Sequence, residues 1–240
     1  MKVFLVVLVL LVSSITVRAD DFFKFHAPNI QYLYGNNFEL GPNERHIITL
    51  EYANAFKYGD FFAFSDLSFP NGGDFNHYTE GILRLSFNKM TESKLKLGPF
   101  SDLYLAGSLE LPKGKNPRYL YGLSTDINVP GFNFLRLIAY IRDTPDLPGS
   151  THQITAVWNL PFKIGKVSFL TEGVADFAGS EGHTRANQLI IPRLLVDTGA
   201  LFFERPGKLF AGIEFQYWHN KFGIEGITES VVQFQLKWNF

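Results

Sequence analysis

The stretch Val232-Gln233-Phe234-Gln235-Leu236-Lys237-Trp238-Asn239-Phe240 alternates without a break, with Val, Phe, Leu, Trp and Phe on one side and Gln, Gln, Lys and Asn on the other. Successive side chains of an extended chain point to opposite faces, so this run is a strand with one apolar and one polar face. About nine residues is the length that a tilted strand needs to cross bilayer hydrocarbon. With an aromatic residue closing the run, the pattern is that of a transmembrane β-strand.

The same pattern recurs upstream. Leu83, Leu85 and Phe87 oppose Glu80, Arg84, Ser86 and Asn88, and Leu135, Leu137, Ala139 and Ile141 oppose Arg136, Tyr140 and Arg142. Leu209, Ala211, Ile213, Phe215 and Tyr217 oppose Gly212, Glu214, Gln216 and Trp218. Runs of this kind, bounded by Gly, Pro, Asn and Asp, predict strands over 29–36, 45–55, 60–68, 79–89, 102–111, 117–128, 133–143, 151–160, 165–176, 186–197, 208–219 and 228–240. About twelve strands is an even number, as single-chain bacterial barrels require. The expected fold is all-β, a single-chain transmembrane antiparallel β-barrel.

If both ends of the chain face the periplasm, the segments 36–45, 69–78, 111–116 and 179–187 become outer loops, rich in Gly, Pro, Asn and charge. The connections 128–133 and 161–165 are then tight inner turns, matching the short-turn, long-loop asymmetry of such barrels. Segments 89–101 and 197–208 are long for that role.

The beginning of the sequence has the form of an export signal. Lys2 precedes the apolar run Val3 to Val12, and Val17 and Ala19 place small residues before Asp20. The run is too short to span a bilayer. Two segments follow: a cleaved signal peptide over 1–19 and a barrel over 20–240, exported to the outer membrane of a Gram-negative cell. Cysteine is absent, so in an exported chain stability must come from something other than disulfides, and a closed barrel is one such source. With 22 basic and 23 acidic residues, bulk charge points to neither nucleic acid nor an anionic surface. The excess of 25 Phe and 10 Tyr over 2 Met favours strands.

Alternation alone does not say which face meets lipid, so a soluble lipocalin-like binding protein is an alternative. Against it stand Tyr32, Tyr34, Tyr217 and Trp238 at strand ends, a distribution like that of interfacial girdles. Catalytic patterns are weak. Gly179-Ser180-Glu181-Gly182 lacks the spacing of a nucleophile elbow, and no serine accompanies His219-Asn220 as a barrel lipase would need. The six His residues show no metal-ligand spacing, and no phosphate loop opens a helix. The expectation is therefore a non-enzyme without cofactor or metal.

Two longer stretches, EGILRLSFNKMTESKLKLGPF at Glu80–Phe100 and YLYGLSTDIN at Tyr119–Asn128, resemble the nucleoside-specific (Tsx-like) outer-membrane channels and the related porins that serve as phage receptors. LEY at Leu50–Tyr52, DFFAFSD at Asp60–Asp66, YWH at Tyr217–His219 and the NF ending add to the likeness in family order. The resemblance implies a monomeric twelve-stranded barrel with a narrow lumen, surrounded by lipid and lipopolysaccharide, that passes nucleosides through weak aromatic and ionisable sites. It also implies a phage as a partner.

A selective pore needs inward polar groups strong enough to replace some hydration yet weak enough to release the solute. Alternation nominates Glu51, Asp66, Arg84, Glu110, Arg136, Arg142, Glu214 and Lys237 as lumenal, with Phe62, Phe64, Tyr140 and Trp218 as flat faces. The same charges could instead pair across a filled lumen and hold the barrel closed. In that case the chain is a plugged structural or receptor barrel.

Overall fold

The computed structural model describes residues 22–240; the expected signal segment lies outside the described residues. Twelve strands run in chain order: β1 (Phe23–Gly35), β2 (Arg45–Phe56), β3 (Gly59–Pro70), β4 (Asn76–Ser86), β5 (Tyr104–Pro112), β6 (Arg118–Asp126), β7 (Phe134–Asp143), β8 (Thr151–Ile164), β9 (Val167–Ala178), β10 (Asn187–Asp197), β11 (Leu209–His219) and β12 (Glu229–Asn239). Each pairs antiparallel with its sequence neighbours, and β12 closes on β1 through pairs running from Asn29 with Asn239 to Gly35 with Gln233. Among the described residues closure leaves no unpaired strand edge, which is what lets a sheet stand in hydrocarbon where water cannot satisfy backbone groups.

The ladder fixes which way each side chain points. Along β12, Glu229, Val231, Gln233, Gln235 and Lys237 are buried, while Val232, Phe234, Leu236 and Trp238 are exposed. The exposed set continues around the wall as Leu50, Leu83, Leu109, Leu123, Leu137, Leu194 and Ile213. The polarity is the inverse of a soluble barrel, with apolar groups outside and Gln, Lys and Glu inside. This corrects the lipocalin-like alternative, because transferring such a belt to water would forfeit the burial that drives folding. Polar groups on the outer face answer each other: Ser65 and Thr79 hydroxyls lie 2.8 Å apart on neighbouring strands.

Aromatic residues gather at both rims of the outer wall. At the end opposite the termini, the Tyr32 hydroxyl is 2.8 Å from His46 Nδ1 and Tyr34 donates to Glu44 at 3.0 Å. At the other end Phe22 stacks on Phe56 at 5.6 Å and Phe162 on Phe169 at 5.3 Å. Trp158 lies across Gly173 on the adjacent strand, where an added Cβ would meet its ring at 2.5 Å. Inside, Gly122 permits a close approach of β6 and β7, since a Cβ there would fall 1.9 Å from the Ala139 carbonyl oxygen.

The two long connections at the terminal end contain short helices, α1 (Phe87–Thr91) and α2 (Thr198–Phe202). Ser86 caps the first by accepting from Lys89 N–H at 3.0 Å, and Asp197 caps the second by accepting from Ala200 N–H at 2.9 Å. The strand expected over 79–89 accordingly stops at Ser86, with Phe87 and Asn88 in the helix. The turn expected over 161–165 is also corrected: β8 continues to Ile164 and turns at Gly165-Lys166, because Phe162 and Phe169 extend the ladder. Among the described residues no helix is long and apolar enough to cross a membrane.

Candidate functional site

Every residue nominated from the alternation points into the lumen. Glu51, Phe62, Phe64, Asp66, Arg84, Glu110, Arg136, Tyr140, Arg142, Glu214, Trp218 and Lys237 all share the inward register that runs from Lys237 through Gln31 and Thr49 to Asp66 and onward round the wall. The structure gathers them into separate groups rather than one site.

The first group lies toward the terminal end, on β3 to β7. Arg84, only 1% exposed, forks between Asp60 at 2.6 Å and Asp126 at 2.8 Å and donates to Ser124 at 3.0 Å. Its guanidinium carbon sits 4.1 Å from the centre of the Tyr104 ring, whose hydroxyl donates to Asp126 at 2.9 Å. Arg136 reaches the same carboxylates at 3.8 Å and 3.5 Å, so β7 is tied to β3 across the intervening β4, β5 and β6.

The second group occupies the opposite wall. Arg193 meets Glu214 at 2.7 Å, Glu172 at 3.6 Å and Glu51 at 3.8 Å, and Lys237 meets Glu172 at 2.6 Å and Glu51 at 3.7 Å. Amide side chains complete it: Asn29 and Gln31 donate to Glu51 at 2.9 and 3.1 Å, Gln233 to Glu214 at 2.8 Å, and Asn159 to Glu172 at 3.0 Å. Arg193 and Glu51 are separated in the wall by β11, β12 and β1, so their contact is a chord through the interior. Inward-facing Gln31 and Gln235 are 1% and 0% exposed, which a wide water-filled pore would not permit. The lumen is narrow and crossed by ion pairs.

A third group lies on β4 to β9, toward the end opposite the termini. Glu110 accepts from Arg118 at 2.9 Å and pairs with Arg142 at 3.9 Å. Nearby Glu80 accepts from Ser108 at 2.7 Å and Tyr78 at 3.2 Å, and Asp176 accepts from Thr155 at 2.5 Å and Gln153 at 3.1 Å. Asp66, opposite Tyr78 in the β3–β4 ladder, accepts from Thr49 at 2.5 Å. Phe62, Phe64 and Tyr78 form a run of aromatic rings along β3 and β4, with successive centroids 6.1 and 5.7 Å apart.

At the end opposite the termini, two loops fold inward. Lys221 pairs with Glu229 at 2.5 Å beside the rings of Trp218 and Phe38, and Glu39 N–H donates to the same carboxylate at 2.9 Å. Burial pulls the Lys221 ammonium below its ordinary pKa, with Glu229 opposing the shift. At that rim, hydrogen bonds from Asn71 and Tyr34 hold the Glu44 carboxyl below its usual range.

Several lumenal residues escape the sequence nomination: Glu80, Asp126, Glu172, Asp176, Arg193 and Glu229. Glu80 and Glu229 share a strand and parity with Arg84 and Lys237, so alternation reaches them, whereas the others lie on β6, β9 and β10, from which no residue is nominated. His219, by contrast, faces outward beside Thr228 at 3.0 Å, which removes it from the lumen.

No family model matches the sequence, and no curated protein matches it. Solved structures do. The KdgM porin aligns over 88% of this chain and 99% of its own with a TM-score of 0.53 at 10% identity. The KdgM porin in complex with disordered oligogalacturonate aligns over 88% and 99% with a TM-score of 0.53 at 12% identity. The NanC porin aligns over 89% and 100% with a TM-score of 0.55 at 8% identity. At these identities the likeness is one of architecture: the chain has the fold of an outer-membrane porin, a closed twelve-stranded antiparallel barrel.

Proposed function

We propose that the protein is an outer-membrane channel for facilitated diffusion of small polar solutes, with nucleosides as the solute class that the sequence resemblance favours. The observation that carries this reading is that inward charged groups keep part of their surface free of protein contact inside a wall whose outer face is apolar. Arg136 and Asp126 are each 25% exposed and Arg193 is 20% exposed, although all point away from the lipid side. A tightly packed plug would cover such charges on every side. The alternating aromatic and ionisable side chains offer a solute several weak sites in series, the arrangement that lets it enter and leave. The porin fold agrees with this reading, and so does the oligogalacturonate held by one of the similar porins.

Purified protein in a planar bilayer should show small unitary conductances that added adenosine or uridine reduces. Conductance that nucleosides leave unchanged would remove the nucleoside assignment and keep the channel. The ion pairs that cross the lumen favour a second reading, a plugged structural or receptor barrel whose loops bind a phage. Liposome swelling separates the two, because a plug passes no small solute at all.

A further inference from the structure

Most lumenal carboxylates are matched by a guanidinium or ammonium; like Asp66, which accepts from Thr49, Glu80 and Asp176 are not. Their hydrogen bonds come from neutral donors alone, Ser108 and Tyr78 for one and Thr155 and Gln153 for the other. Among the described residues neither lies within 4.0 Å of a basic nitrogen. An ionised carboxylate has about four acceptor positions, so both keep unused capacity. Glu80 stands opposite Glu110 in the ladder and faces Asp176, while Asp176 faces Glu110 and, beyond the Gln153 amide that bridges them, the Arg142 guanidinium.

A second observation falls at the same place. Tyr140 on β7 is 4% exposed, its ring packed against Ala106, Leu120 and Ile138, and its hydroxyl is buried without a hydrogen-bond partner among the described residues. The charges it faces are Glu80, Asp176, Arg84 and Glu110. A buried hydroxyl left unpaired costs free energy that a bound group would recover.

We propose that Glu80, Asp176 and the Tyr140 hydroxyl form a binding stop for a small organic cation, a protonated amine; this deepens the channel reading and rests on it. An ammonium donates three hydrogen bonds and accepts none. Two carboxylates and a phenol oxygen supply the complementary set, and charge-assisted hydrogen bonds are the strong ones. A bare metal ion fits less well, since among the described residues no three carboxylate or histidine groups are placed to hold one. Phe64 stands opposite Glu80 in the ladder and 5.7 Å from the Tyr78 ring, so a flat ring attached to the amine finds an aromatic neighbour.

The test uses three probes of nearly one shape and different charge: phenethylammonium, 2-phenylethanol and phenylacetate. Isothermal titration on the full-length barrel in detergent at neutral pH should show the ammonium binding at least about tenfold tighter than the other two. Glu80→Gln combined with Asp176→Asn should erase that preference, and Tyr140→Phe should weaken ammonium binding severalfold while leaving the alcohol unchanged. Equal binding of the three probes to the native protein overturns the proposal without recourse to any variant. So does a preference that survives the double substitution in protein that retains its heat-modifiable gel shift. Liposome flux keeps the two claims apart. Ammonium binding without passage of any solute upholds the stop and sinks the channel, whereas equal passage and equal binding of all three probes does the reverse.

Discussion

The wall around Arg193 and the wall around Glu80 are built from the same residue types and treat their charge in opposite ways. On the first, Arg193 and Lys237 stand among Glu51, Glu172 and Glu214, and four amide side chains fill the remaining acceptor positions. On the second, among the described residues, Glu80 and Asp176 meet only hydroxyls and an amide. Charge that is already matched stabilises the barrel and has little left for a visitor. The difference assigns the first wall to structure and leaves the second with attraction to spare.

The largest effect should come from stripping a matched group. Arg84→Met leaves Asp60 and Asp126 with Arg136 as their remaining ion-pair partner, at 3.8 and 3.5 Å. The loss is expected to be about 3 to 5 kcal/mol, measured by urea unfolding of the barrel in liposomes with Trp fluorescence as the readout. A charge added on the other face of the wall should cost slightly less. Phe234→Arg, at the middle of β12 between inward Gln233 and Gln235, should lose about 2 to 4 kcal/mol in the same titration.

The unmatched wall should behave otherwise. Glu80→Gln with Asp176→Asn should change stability by no more than about 1 kcal/mol, because it removes like-charge repulsion along with the carboxylates. The same double variant should move the reversal potential in a KCl gradient toward zero if these groups favour cations. The smallest effect is expected from salt alone. Raising ionic strength from about 0.1 to 1 M shortens the screening length from about 10 to 3 Å, and cation preference should decline with it. A reversal potential indifferent to both changes would erase the distinction between the walls.

The direction of each side chain is legible in the sequence because period-2 alternation is a local property. Val232 to Phe240 announce their two faces with no knowledge of any partner strand, and Glu51, Arg84, Glu110 and Glu214 are assigned inward by the same logic. The pairing of charges is not legible. Arg193 meets Glu51 only because the wall curves back on itself over β11, β12 and β1, and nothing in either strand records that curvature. Alternation places Glu80 on the polar face without singling it out, since its lack of a cationic partner depends on where Arg118 and Arg142 go. The helices α1 and α2 leave a readable sign in Ser86 and Asp197, capping residues at the ends of strands, which the length of the following connections masks as irregular loop.

The seam between β1 and β12 carries a consequence for assembly. Gln235 donates to Gln31 across it at 2.6 Å, a contact between residues 204 positions apart in the chain. Such a contact forms late, since the loop it closes is almost the whole described chain and its entropic cost precedes any reward. Until that moment the first strand waits with one row of amides and carbonyls unanswered, in a setting that offers them no water. The final strand therefore acts as a clasp: insertion and folding finish together, and a lesion confined to Gln31, Gln235 or their neighbours would slow closure far more than it would weaken the closed barrel.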